Sequence, residues 1–286
     1  NMIPAVYSAN CNNDANYDNF DDCQTMAMEG LSWSDLAAYL DWACLRPMSE
    51  MEFEKICRGT LPKVNGEYAW GDVNLNQVTM ASITNNKQYN MVSSLSSVGL
   101  CNYGNDLGTS IDGPYRVGML AKSNTVRYTA GTTFYGVADM SGNVAEIVVG
   151  VGAGSSGPAP LNTGGLTFDG RLGDGALDAN GDANVTNWPA IPATTNSGVG
   201  LRGGSYYTYS VANYTANGNF YQSTIYTLRV SDRTYMYRAA GVSPYTSGFL
   251  INNYSAYLDY RCRGIGGRGV RQAFVNNSSP YYYSKP

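Results

Sequence analysis

The stretch "DMSGNVAEI" occupies residues 139–147 and leads straight into Val148 and Val149. Asp139, Asn143 and Glu146 stand around Gly142, at the mouth of what reads as a buried strand. Two readings of such a cluster are open. Asp and Asn side chains hydrogen-bond nearby backbone and tolerate left-handed turns, so the group can simply close a turn. Carboxylates with carbonyls between them are also the hard, mixed oxygen set that Ca²⁺ takes.

Upstream, "LSWSDLAAYLDWACLRPMSEMEFEKICRG" (31–59) carries two helix signatures. Ser32 with Asp35 starts the first, and Leu36, Tyr39, Leu40 and Ala43 follow at helical spacing. Arg46-Pro47 stops it. Ser49 with Glu52 is a second capping box, followed by Met51, Phe53, Ile56 and Cys57, and Gly59 ends that helix. Trp33, Trp42 and Trp70 are each expected to bury a large apolar area around the helix pair. Beyond "YAWGD" (68–72) no long helical period remains. Gly, Asn, Ser and Thr punctuate short strand-like runs such as "YGVADM", "NVAEIVVGV" and "GVGLRGGSYY". In the last of these, Gly203-Gly204 allows close backbone approach or a positive φ.

Composition bounds the chemistry. The 286 residues include no histidine, which excludes Ser-His-Asp triads, Cys-His dyads and HExxH zinc sites. Six cysteines (Cys11, Cys23, Cys44, Cys57, Cys101, Cys262) show no CxxC spacing. They read either as disulfides of an exported protein or as reduced, buried thiols. No apolar run approaches the length of a membrane span. The chain begins at Asn1 and not Met, so a removed leader is expected.

Charge is unevenly spread. Residues 1–200 hold 20 acids and 9 bases, whereas 201–286 hold eight Arg and Lys285 against Asp232 and Asp259. Either the two parts pair within one fold or the basic part faces an acidic partner. The Arg residues are scattered among Tyr and Ser, which argues against nucleic acid.

Six landmarks stand in order: "LSWSDLAAY" (31–39), "RPMSEMEFE" (46–54), "YAWGD" (68–72), "DMSGNVAEI" (139–147), "LRGGSYY" (201–207) and "GGRGVR" (266–271). On this ordered set the chain resembles the formylglycine-generating-enzyme, or sulfatase-modifying-factor, domain. Its members read V-S-W-x-D-A-x-A-Y, L-P-T-E-A-E-W-E, Y-P-W-G-D, D-M-S-G-N-V-W-E-W, R-G-G-S-W and G-F-R. The resemblance implies an α+β, loop-rich, C-type lectin-like fold with two short helices near the N-terminus and short irregular sheets. It frames an arm at 1–29, one domain at 30–275 with a loop insertion at 150–198, and a tail at 276–286.

The same resemblance carries expectations about chemistry. The family enzyme oxidises a substrate cysteine with copper(I) held by a C-x4-C pair. Two thiolates suit that soft ion. Here Cys262 is the only cysteine beyond residue 101, and Tyr257 and Gly267 stand five residues away on either side. The histidine ligands of the related iron-dependent sulfoxide synthases are absent too. A non-catalytic, copper-free member is therefore expected, because a fold without its site does not carry the function. For structural calcium, the resemblance implies Asp139 and Glu146 by carboxylate, with Gly142 and Val144 by carbonyl. A second site maps onto Ile83, Asp112 and Pro114, with Ser82 where the family has Asn. "LDANGDANVTNW" (177–188) has EF-hand-like spacing but ends before Pro189 and not Glu, and reads as a solvated loop.

Residues 206–286 hold 15 of the 24 tyrosines, interspersed with Asn, Ser, Thr and Arg. Rigid Tyr with adaptable Ser, Asn and Gly is the chemistry of binding loops. Segment 201–271 is thus the expected ligand-binding part, with Tyr206, Tyr207, Tyr209, Tyr214, Tyr235, Tyr237, Tyr254, Tyr257 and Arg261 as contacts for a protein or glycan. This composition is similar to that of the variable proteins of diversity-generating retroelements, many of which share this fold. An extracellular, cell-surface or virion display protein is the first expectation. A self-assembling surface or filament subunit is the second, and a formylglycine-generating oxidase the third.

Overall fold

Ser32 and Ser49 each accept a hydrogen bond from the third residue of a helix, and Asp35 and Glu52 return the bond. These capping boxes start α1 (Trp33–Trp42) and α2 (Glu50–Arg58), as the sequence predicts. Gly59 ends α2 at φ +64°, and a Cβ there would run into the Phe134 ring. The computed structural model describes residues 24–104, 113–150, 167–189, 198–206, 208–209, 223–233, 236, 261 and 263–271.

Strands are short: β1 (Arg46–Pro47), β2 (Asn76–Gln77), β3 (Ile83–Thr84), β4 (Val92–Ser93), β5 (Leu100–Cys101), β6 (Ala145–Val149), β7 (Val199–Arg202), β8 (Thr208–Tyr209), β9 (Ser223–Thr224), β10 (Ile265–Gly266) and β11 (Gly269–Val270). A third helix, α3 (Arg127–Ala130), is a single turn. The architecture is α+β and loop-rich. "YGVADM" yields only an isolated bridge between Thr132 and Ala138.

The central sheet has the order β10-β6-β7, with β10 parallel and β7 antiparallel to β6. Strand β6 is buried along its whole length, as a central strand covered on both faces must be. Its alternation sorts the core. Ala145, Ile147 and Val149 face Trp33, Leu36, Leu40, Leu201 and Tyr206. Val148 joins Met48, Phe53, Cys57 and Met140 on the other side. Glu146 shares that second side and is also buried. Strands β1 and β11 pair antiparallel and tie the helix pair to the C-terminal strands.

The apolar face of α1 is Trp33, Leu36, Ala37 and Leu40. Trp42 is 63% exposed and Tyr39 56%, so the expected burial of Trp42 is corrected. A ten-residue helix against one sheet has one buried stripe, and these two rings lie outside it.

The insertion is held at 167–189 by one acid. Buried Asp41 accepts from the Asp174 and Asn184 N–H groups at 3.0 and 3.1 Å. Trp188 packs into the first core cluster and donates to the Arg171 carbonyl at 2.9 Å. Within "LDANGDANVTNW", Asp178 Oδ1 accepts from the Asn180 and Asp182 N–H groups, so its carboxylate closes its own loop.

The charge asymmetry resolves inside the fold. Arg202, Arg233, Arg261 and Arg268, all from the basic part, pair with Glu50, Glu54, Asp35 and Glu146 of the acidic part. Arg202 is the most buried of them. It reaches Glu50 at 3.3 Å and Glu54 at 3.1 Å, donates to the Val230 carbonyl, and stacks 4.9 Å from the Phe53 ring. Arg58 continues the chain of charges to Glu54 and Glu67. Substituting Arg202 with Ala opens a cavity and takes from buried Glu50 its most buried partner, leaving it held by Arg233, and is expected to lower stability by about 2–5 kcal/mol. Urea unfolding of Arg202→Ala checks this, and Arg202→Met is expected to rescue little, because the acids remain.

Candidate functional site

The turn that precedes β6 is pinned by Asn143. Its backbone lies at φ +64°, in the left-handed region that Asn tolerates. Its side-chain oxygen accepts from the Tyr115 N–H at 2.7 Å and from Asn102 Nδ2 at 3.1 Å, and its amide donates to the Tyr115 carbonyl. Its own N–H donates to the Asn102 carbonyl, and its carbonyl accepts from the Tyr206 N–H. One side chain and its peptide thus join residues 102, 115 and 206. Gly142 donates to the Gly203 carbonyl at 2.8 Å, at a backbone position whose Cβ would strike Cys101 Sγ. Gly203 is required in return, because a Cβ there would lie 2.8 Å from the Met140 carbonyl oxygen.

Beside this turn lies a cavity of about 220 Å³. Met26, Met28 and Val117 supply its apolar wall, and Asp139, Asn143, Glu146 and Arg268 its polar one. Asp139 accepts from the Gly118 N–H at 2.9 Å. Burial pushes the Asp139 pKa above the ordinary carboxylate value, although the Gly118 hydrogen bond and the Arg268 charge pull it back. Arg268 turns Nε to Glu146 Oε1 at 2.7 Å and Nη2 to the same oxygen at 2.5 Å. Its Nη1 donates to the Ala138 carbonyl at 3.3 Å. Burial opposes the Arg268 charge, yet the Glu146 and Asp139 carboxylates outweigh it, and its pKa stands above the usual arginine value.

The residues implied as calcium ligands therefore do meet at one place. Asp139, Val144 and Glu146 line the cavity, and Gly142 sits in the turn at its edge. They do not fit a calcium ion as they stand. The Arg268 guanidinium already lies against Glu146 and lines the same cavity. Two carboxylates and one guanidinium leave a net charge of −1, which a dication would reverse to +1 in a partly desolvated space. Among the described residues no three carboxylates or thiols come together as a metal group. Of the second implied site, Asp112 lies outside the described residues. Ile83 is in β3, Pro114 is partly buried, and the neighbouring Ser82 hydroxyl is engaged with the Thr79 carbonyl and Ser93.

The expected ligand contacts divide. Tyr206 is corrected: it is fully buried, with its hydroxyl donating to Glu29 Oε2 at 2.6 Å and its ring in the core beside Trp33. That hydrogen bond fills its polar tip, and burial raises its pKa. Tyr209 lies in β8, which pairs in parallel with β9. Arg261 is 73% exposed and grips Asp35 with two hydrogen bonds of 2.7 and 2.9 Å. Tyr207, Tyr214, Tyr235, Tyr237, Tyr254 and Tyr257 lie outside the described residues, as does Cys262.

Of the described cysteines, Cys44, Cys57 and Cys101 are free thiols. Burial pushes the Cys57 pKa up to about 12 and that of Cys101 well above its usual value. Neither is a reactive thiolate at neutral pH. Sequence reasoning missed Arg268 as a site residue and Asp41 as an anchor. The basic C-terminal segment was the one signal for Arg268.

Residues 6–231 match the family model described as the sulfatase-modifying factor enzyme 1-like domain, the FGE-sulfatase family. The chain belongs to that family. No curated protein and no solved structure matches it. The match ends before "GGRGVR", whose Gly266 nevertheless lies in β10 beside β6 and whose Gly269 and Val270 pair with β1.

The Asp35–Arg261 pair carries a pH signature. The Arg261 hydrogen bonds are the largest cause that holds the Asp35 pKa down at about 2, against 3.8 ordinarily. A lowered acid stabilises the fold above its unfolded pKa, and that contribution is lost as pH falls through the folded value. The window runs from about pH 4 down to 2. In Arg261→Ala the Asp35 carboxyl titration, followed by NMR, is expected to rise toward 3.8. The acid loss of stability over that window is expected to shrink with it.

Proposed function

We propose that this chain is a non-catalytic ligand-binding member of its family. It uses a C-type lectin-like scaffold to present a Tyr-rich C-terminal surface to a protein or a glycan. The observation that carries this reading is the placement of β7 and β10. The Tyr-rich stretch stays in the core through Tyr206, just past β7, and is in it again at Ile265 in β10, and these strands flank β6 on its two sides. Among the described residues between them, Leu228, Val230 and Met236 are buried in the core. Segments hung from fixed points on a rigid sheet are where binding residues concentrate. With Tyr206 in the core, the contact set becomes Tyr207, Tyr209, Tyr214, Tyr235, Tyr237, Tyr254, Tyr257 and Arg261.

Several features support the absence of catalysis. The chain has no histidine and no C-x4-C pair, and burial raises the pKa of the Cys57 and Cys101 thiols. We place such a protein outside the cell, on a cell surface or a virion, where a diversified receptor-binding role is the natural use of the Tyr-rich stretch. One observation favours self-assembly as a second reading. Tyr39 and Trp42 stand exposed on α1 with their rings 6.3 Å apart. Large exposed aromatics that cluster are a mark of contact surfaces.

Tyr235, Tyr237 and Tyr257 changed together to Ala test the first reading. The wild-type chain is screened against a glycan array and a panel of surface proteins. The triple variant is expected to lose the captured partner while its Tm holds. Binding that survives the triple change counts against the Tyr surface. Sedimentation velocity separates the second reading, which requires rings or fibres in place of monomers.

A further inference from the structure

We propose that the Arg268 guanidinium is the resident cation of the cavity beside the 139–146 turn, so that the chain folds without calcium and exposes a divalent-cation site only when Arg268 is removed. Three observations carry this. First, Asp139, Glu146 and Arg268 line one cavity of about 220 Å³. Second, Arg268 donates Nε–H to Glu146 Oε1, sets Nη2 2.5 Å from the same oxygen, and donates Nη1–H to the Ala138 carbonyl, one residue before Asp139. The guanidinium thus donates hydrogen bonds to the kind of oxygens, carboxylate and carbonyl, that would otherwise surround a hard ion. Third, the position is covalently delivered. Arg268 lies between β10 and β11, whose pairings with β6 and β1 fix its backbone on both sides.

The alternative occupants do not balance charge. An empty cavity with Arg268 turned out to solvent would leave buried Glu146 uncompensated. Calcium together with Arg268 would leave an excess positive charge. Arg268 alone leaves −1 and keeps buried Glu146 paired.

The test compares the full chain with Arg268→Gln and Arg268→Ala, each in a chelator and in calcium, by thermal unfolding and by calorimetric titration with Ca²⁺. The wild-type Tm is expected to be the same in both buffers, with no heat of binding. The variants are expected to be less stable in chelator and to regain about 5–10 °C in saturating calcium. Adding Glu146→Gln to Arg268→Ala is expected to abolish that response, which distinguishes this site from calcium bound elsewhere. Refolding of a variant only in calcium supports the proposal equally. A calcium-dependent Tm in the wild type overturns it. So do variants that fold but show no calcium response, and variants that calcium does not help to fold.

Discussion

The structure depends on getting one guanidinium, Arg202, out of water. It stands in the "RGGS" landmark at the end of β7 and meets Glu50 and Glu54 of α2, the Val230 carbonyl and the face of Phe53. Burial, and then the neighbouring Arg233, bring its pKa down to about 10, so it stays charged at neutral pH. A charge this deep is tolerable only if its partners are already in place. The helix pair, the central sheet and the 225–233 return must therefore form together. The capping box at Ser49 sets the start of α2 and hence the direction in which Glu50 and Glu54 point. The close contact between Gly203 and Met140 lets β7 come near enough to deliver Arg202.

The 139–147 turn works in the same way with neutral groups. Asn143 satisfies three segments that have no other reason to converge, and Gly142 gives up its side chain so that Cys101 can close against it. A buried polar network of this kind is stable only when complete. That is why a short run of polar residues can sit at the head of a strand buried on both faces.

Much of this was legible because it is local. Capping boxes span four residues, and both appeared where the sequence put them. The even burial of β6 followed from its unbroken apolar run after Glu146. Long-range matters were harder. Periodicity marked α1 as amphipathic but could not say that Tyr39 and Trp42 fall outside the buried stripe. Composition grouped Tyr206 with the binding tyrosines, although its proximity to the Asn143 carbonyl and Glu29 draws it into the core. The partners of Asp41 and Glu146 are more than 120 residues away in sequence, and no local pattern announces them. The charge asymmetry was the one global clue. Among the described residues it is answered within the fold, by six ion pairs between four Arg of the basic part and four acids of the acidic part.

The flanking of β6 by β7 and β10 has a further meaning for how such a protein changes over time. Adjacent strands are about 4.8 Å apart, so the two strands that bound the Tyr-rich stretch stay about 10 Å apart whatever lies between them. Loop-closure entropy rises only slowly with length, by about 0.6 kcal/mol for each doubling. Arg202, Asn143, Gly203 and Arg268 hold the scaffold, and all four lie in or beside the central sheet and not in the span between Tyr206 and β10. Insertions and substitutions within that span can therefore accumulate without touching these four residues.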